Sequence, residues 1–324
     1  MAIEALKKSI VEIPSYPDSN STDLKFAIAT KYNVTENNVT IGNGSTELIY
    51  LFAEAFLNAE DSALIPAPSF GEYGCAVKRT GATIRQLNLS PDFHITLKKV
   101  VKAIDESEVK VLFLCNPNNP TSFLISKQAI QDILDYTLAR NVLVFLDEDF
   151  LEFVEFGERY SLIDRIEDFP NLFVLRSFTK IFGLTGLRVG YGIANDEIVA
   201  ILNRAKIPWN LNCLGQVAAI TALKDQEHLQ KTMQLVKDEK KFLLEKIGKY
   251  EGLEIFPPAA NFIFIDVRKT GLKAGQIKNR MLKRGVLIRD CSSFNGLDEY
   301  FIRIAVKTRP ENEKLLEAFS EAVN

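Results

Sequence analysis

Five short runs, residues 63–65, 111–115, 142–146, 172–175 and 190–193, are apolar on successive positions and bounded by Pro, Asn or Asp. Strands without polar alternation cannot present a face to water, so they predict a sheet covered on both sides. Amphipathic stretches at 46–57, 97–104 and 126–139 supply the covering helices. The expected fold class is therefore α/β with a mostly parallel sheet. From about Leu214 the texture changes. A long charged helical pattern at 226–249 leads through Gly252 to strand-like segments at 261–267, 286–289 and 300–306, then to a terminal helix from Pro310. That describes a smaller α+β unit. The chain has 324 residues, and at roughly 100–200 residues per domain this suggests two domains. We expect a large domain over residues 31–210 and a small one combining 1–30 with 211–324.

Charge and rare residues remove several function classes. The 39 Lys and Arg and 42 Asp and Glu are interspersed, leaving a net charge of −3. This provides no basic face for nucleic acid and no polybasic membrane patch. No run approaches the roughly 18 apolar residues of a membrane span. Near the start, Glu4, Lys7, Lys8 and Glu12 recur at helical spacing and interrupt any leader-type apolar core. The chain is expected to be cytoplasmic. His94 and His228 stand far apart, and Cys75, Cys115, Cys213 and Cys291 form no CxxC pair, so metal-ligand spacing is lacking and no metal is expected. Neither histidine lies in a hydrolase motif. The cysteines are expected as buried thiols in a reducing compartment.

The chemistry concentrates after strand ends. In residues 177–191, Lys180 follows a buried strand and precedes a glycine-rich turn, with Arg188 eight residues on. A desolvated lysine near other cations can form a Schiff base with an aldehyde; alone, it reads equally as a surface loop residue. Gly42-Asn43-Gly44-Ser45-Thr46-Glu47 opens a helix and makes an anion cup of amides and hydroxyls, although a capping turn at Ser45 explains it as well. Asp147 ends a strand so hydrophobic that an unpaired carboxylate there is costly, unless it stands exposed at the rim. Asn119 lies in Asn116-Pro117-Asn118-Asn119-Pro120-Thr121, which in isolation is turn chemistry. All four positions fall where parallel sheets present ligand groups.

In this order the residues resemble the fold type I pyridoxal-phosphate (PLP) enzymes, of which the aspartate aminotransferase family is best known. The resemblance spans nearly the whole chain. It implies that Lys180 attaches the cofactor, Asp147 pairs with its pyridine nitrogen, and Asn119 donates to the ring oxygen. Phe70 is implied to stack on the ring face, although a core aromatic is the plainer reading of that residue. Gly44, Ser45, Thr46, Ser177 and Arg188 are implied to hold the phosphate. Tyr16, in Tyr16-Pro17-Asp18, is implied to reach the cofactor phosphate of a neighbouring subunit, so a homodimer is expected. Two positions depart from the family pattern: Phe150 replaces a tyrosine three residues after the aspartate, and Ser122 replaces a glycine after Asn-Pro-Thr.

The reaction depends on where the substrate is anchored. The resemblance places Arg303 at the α-carboxylate. Arg289 is our candidate for a substrate phosphate, or for the carboxylate jointly with Arg303; a salt bridge to Asp290 or Glu299 is the competing account. Together with Asn119 these define the expected substrate contacts. The segments 147–150, 174–180, 208–210, 258–262 and 286–297 look most like threonine-phosphate decarboxylases of cobamide biosynthesis. The resemblance thus implies a PLP-dependent lyase converting O-phospho-L-threonine to aminopropanol phosphate. The alternative is an aminotransferase of the histidinol-phosphate type. Those decarboxylases carry an arm ahead of Tyr-Pro-Asp, whereas fifteen residues precede Tyr16 here, so we expect either a site completed by the partner subunit or a different small amino-acid substrate.

Overall fold

A computed structural model describes residues 1–89 and 91–323. Its main sheet has seven strands: β1 (Val39–Asn43), β2 (Ser62–Ala67), β3 (Thr83–Asn88), β4 (Val111–Cys115), β5 (Leu143–Asp147), β6 (Leu172–Ser177) and β7 (Val189–Ala194). Their spatial order is β1-β7-β6-β5-β4-β2-β3. β7 runs antiparallel to both β1 and β6, and the other pairings are parallel. The mostly parallel α/β architecture expected from the apolar runs is present.

Register explains the packing. Phe113, Phe145 and Phe173 are successive partners across β4, β5 and β6 and point to one face. There Phe52, from helix Ser45–Phe56, meets all three with ring centroids 5.0–6.3 Å apart. Leu114, Leu146 and Val174 point to the other face, into the larger core. Gly192 on β7 has no side chain for a packing reason: a Cβ there would lie 2.1 Å from the Phe173 ring.

A second sheet, β8 (Glu254–Ile255), β9 (Phe262–Asp266), β10 (Arg289–Asp290) and β11 (Phe301–Ala305), is antiparallel in the order β10-β11-β9-β8. It packs with helices Ala274–Leu282 and Arg309–Val323 in the core. The first helix, Ala2–Ser9, lies against helix Cys213–Lys224, and the terminal ammonium sits 3.2 Å from Asp225. No described helix is long and apolar enough to cross a membrane.

The structure departs from the sequence expectations in identifiable places. β3 is a largely exposed edge strand, and β1 carries Thr40 and Gly42, so neither produces a continuous apolar run. The strand expected at 286–289 is reduced to the pair Arg289–Asp290. Cys115 and Cys291 are buried, but Cys75 is exposed and Cys213 half-buried.

Phe52→Ala should cost about 3–5 kcal/mol, because the three facing phenylalanines are fixed by the sheet and cannot close the cavity. The midpoint and slope of urea unfolding would measure this loss.

Candidate active site

Asp147 is the last residue of β5, facing Cys115 on β4 and Leu175 on β6, and is 4% exposed. The Tyr73 hydroxyl donates to its Oδ2 at 2.6 Å, and the Asp149 amide donates to its Oδ1 at 2.9 Å. Asp149 is itself buried, and its Oδ2 lies 3.9 Å from Lys180 Nζ. Ser177 donates to Asp149 and shares a 2.7 Å hydrogen bond with Thr179. Desolvation, followed by the Asp149 charge, pushes Asp147 up to about 7 despite the Tyr73 bond. Burial also raises Asp149, opposed by Lys180. This corner therefore holds more buried negative charge than the protein's own cations meet.

A cup opens beside it. Gly44 precedes helix Ser45–Phe56 at φ +82, and a Cβ there would come within 2.5 Å of Arg188 Nη2. Across the cup, a Cβ on Gly190 would lie 2.3 Å from the Ser45 amide nitrogen. Both glycines bring backbone amides and a guanidinium close together, as a phosphate requires. Arg188 is itself in the left-handed region at φ +56 and donates to Thr185 O at 3.3 Å.

Lys180, Arg289 and Arg303 line one cavity of about 480 Å³, with Phe150, Phe262 and Asn261 in its wall. Arg303 donates to Asn119 Oδ1 and lies 4.8 Å from the Phe262 centroid. Burial lowers the Arg303 pKa, and it forms no ion pair among the described residues. Arg289 donates to Ser293 Oγ at 2.8 Å rather than pairing with Asp290 or Glu299, and Glu299 pairs with Lys273. Asn261 Oδ1 is buried without a donor among the described residues. Phe150 packs edge-on against Phe262 at 5.1 Å and forms wall rather than a donor site.

Lys180, Arg289 and Arg303 are the expected residues in this cavity's lining; Gly44, Ser45, Asn119, Asp147, Ser177 and Arg188 lie outside it, as do Phe70, Thr46 and Tyr16. Phe70 lines an adjoining one of about 320 Å³ that shares Arg289, and its ring packs edge-on against Tyr73. Thr46 borders another cavity, with Tyr50 and Lys206. Tyr16 is 83% exposed and packs on Trp209 at 5.0 Å. The sequence reading assigned no role to Tyr73 or Asp149. Tyr73 is three residues after Phe70, which places it on the same helix face, while Asp149 was visible only as a second acid beside Asp147.

A seven-stranded sheet with a lysine, a buried carboxylate and a phosphate-sized cup at its carboxyl edge is the architecture of fold type I PLP enzymes. The model of the family Aminotransferase class I and II matches residues 2–319. The chain belongs to this PLP-dependent family. The histidinol-phosphate aminotransferase of Methanothermobacter thermautotrophicus (strain Delta H) is 35% identical over 99% of this chain and 85% of its own length. A provisionally named threonine-phosphate decarboxylase of Caldanaerobacter subterraneus subsp. tengcongensis is 38% identical over 97% of this chain and 84% of its own length. The crystal structure of the histidinol-phosphate aminotransferase from Clostridium acetobutylicum superposes with a TM-score of 0.91 at 30% identity, covering 99% of this chain and 95% of that one.

These relatives correct the expectation of a phosphothreonine decarboxylase. The similarity is carried mainly by histidinol-phosphate aminotransferases, in sequence and in solved structure. Phe150, which favoured the decarboxylase, is accounted for by its contact with Phe262.

Burial pushes Asp147 from the ordinary carboxylate value of 3.8 up to about 7 in the folded chain. The folded apoprotein thus holds an extra proton between those values, and its stability falls as pH rises through them. Asp147→Asn cannot ionise, so its melting temperature should gain on the wild-type apoprotein between about pH 4 and 7 in calorimetry. A constant difference would show that Asp147 ionises normally.

Proposed function

We propose that this chain is a PLP-dependent aminotransferase that takes an amino group from histidinol phosphate and passes it to 2-oxoglutarate. The observation that carries the reading is the pair Arg289 and Arg303, two cations without carboxylate partners among the described residues, in the cavity that Lys180 enters. Histidinol phosphate bears a phosphate ester where an amino acid bears its carboxylate. One arginine-lined cavity can therefore serve both half-reactions.

The residues present suit the cofactor. Bound PLP supplies an electron sink that makes the substrate Cα–H bond labile. Lys180 would hold the cofactor and carry the proton at Cα, with Asp149 3.9 Å from its ammonium form. Asp147 meets the positive charge on the ring nitrogen, while Tyr73 holds the carboxylate in place. Asn119 gives its carbonyl oxygen to Arg303, which leaves its Nδ2 hydrogens for the ring oxygen. Gly44, Ser45, Thr46, Ser177 and Arg188 bind the phosphate, and Phe70 packs on the ring. Arg303 receives the carboxylate of glutamate and, with Arg289, the phosphate of the amino alcohol.

The working unit in this reading is a homodimer. Val11, Tyr16, Ile207 and Trp209 are each more than half exposed, and Tyr16 packs on Trp209 at 5.0 Å. Tyr16 of the neighbouring subunit would complete the phosphate cup. The 36.4 kDa chain should run at twice that mass in light scattering. Trp209→Asp together with Ile207→Asp should shift it toward monomer and weaken cofactor retention; a wild-type monomer retaining PLP would refute the dimer.

Holoenzyme given histidinol phosphate and 2-oxoglutarate should form glutamate without releasing CO2. Absence of glutamate, or CO2 from an amino-acid substrate, would overturn the assignment. Arg303→Ala should remove about 2–5 kcal/mol from kcat/KM in both half-reactions.

A further inference from the structure

Arg289 and Arg303 are direct partners across the antiparallel pair β10 and β11. Side chains so placed project to one face, and like charges there repel. Neither has a carboxylate within ion-pair distance among the described residues. Each is instead pinned by neutral groups: Arg303 by Asn119 and the Phe262 ring, Arg289 by Ser293 and the Phe294 ring at 5.2 Å. Such pinning holds two cations together in the absence of an anion.

A third cation faces the same cavity. Lys278 lies on helix Ala274–Leu282 and has no hydrogen-bond or ion-pair partner among the described residues. Other cations of that segment are engaged: Lys273 pairs with Glu299 at 2.9 Å, and Arg280 donates to Ala322 O at 2.7 Å. The cavity's carboxylate, Asp290, accepts from the Ser292 amide and approaches the helix at Gly275, one turn before Lys278. With Lys180 met by Asp149 at 3.9 Å, Lys278, Arg289 and Arg303 thus stand against one acid, Asp290. A carboxylate brings a single charge, which Arg303 alone can meet in a bidentate pair. A phosphate monoester brings about 1.5–2 charges and three acceptor oxygens at neutral pH.

We propose that Lys278 is a specificity-determining residue that joins Arg289 and Arg303 in a three-cation subsite for a phosphate monoester dianion, setting it apart from a carboxylate bound in the same cavity. The inference rests on the aminotransferase reading and deepens it. Two half-reactions on one holoenzyme provide the comparison, since both use Lys180 and Arg303 but differ in the anion.

Single-turnover reaction of Lys278→Met holoenzyme with histidinol phosphate should lose at least tenfold in the ratio of maximal rate to Kd. Reaction with L-glutamate should stay within twofold, and Lys278→Arg should restore the first. Inorganic phosphate binding, followed by calorimetry on the holoenzyme, should weaken at least tenfold in Lys278→Met. Equal losses for both amino donors, or no loss for either, would overturn the role of Lys278. If the wild type reacts with glutamate but not with histidinol phosphate, the assigned substrate fails. The calorimetric comparison then still decides the subsite: weakened phosphate binding upholds it, and unchanged binding refutes it.

Discussion

The site depends on burying two carboxylates two residues apart at the edge of a sheet covered on both faces. Asp147 and Asp149 lose hydration because β5 runs through the core up to Asp147. What remains to hold them is one phenol, one amide, one hydroxyl and a lysine 3.9 Å away. Such an arrangement survives only if the backbone is clamped. The clamp is Glu148, which turns the opposite way and meets Arg176 at 2.7 Å with both groups fully buried. Ser161 and the Leu162 amide donate to the same carboxylate, and Glu152 closes on Arg176 at 3.0 Å. A buried ion pair adds little net stability when desolvation is counted. Here its effect is to fix the turn after β5, and so to hold two mutually repelling carboxylates in register.

Much of this was legible because burial on both faces leaves an uninterrupted apolar signature. β4 matched its sequence bounds, and β2, β5, β6 and β7 were displaced only at their ends. Asp147 at the end of β5, and Asn119 and Lys180 after β4 and β6, stood out because charge or amide is otherwise out of place there, and Arg188, directly before β7, through its spacing from Lys180. The edge strand β3 escaped because one side is open to water, and β8 because two residues carry no periodicity. Tyr73 escaped for a different reason. An aromatic on an amphipathic helix reads as core until its hydroxyl is seen to find a carboxylate from another strand.

Phe150 illustrates the opposite error. A residue that departs from a family motif invites a chemical reading, yet its ring is accounted for by packing on Phe262, with Lys180 Nζ 5.4 Å from its centroid. Losing a phenol at that position changes the wall of the cavity without choosing which bond breaks. In the proposed reading that choice belongs to the anchors that orient the substrate, Arg303 and its neighbours, which single-position comparison does not weigh.

Ser122 shows how the two sheets share one site. Its φ of +63 lies in the region where glycine is favoured, which accounts for glycine in the family pattern. The serine offsets that strain with a contact glycine cannot make: its Oγ accepts from the Ala260 amide at 2.8 Å, while its carbonyl accepts from Ala259. The loop after β4 is thereby tied to the segment leading into β9. Asn119 lies on that loop and Arg303 on the neighbouring β11, so the bond between them spans elements that the Ser122 tie holds together. A displacement of Arg303 is therefore felt at Asn119 through one hydrogen bond.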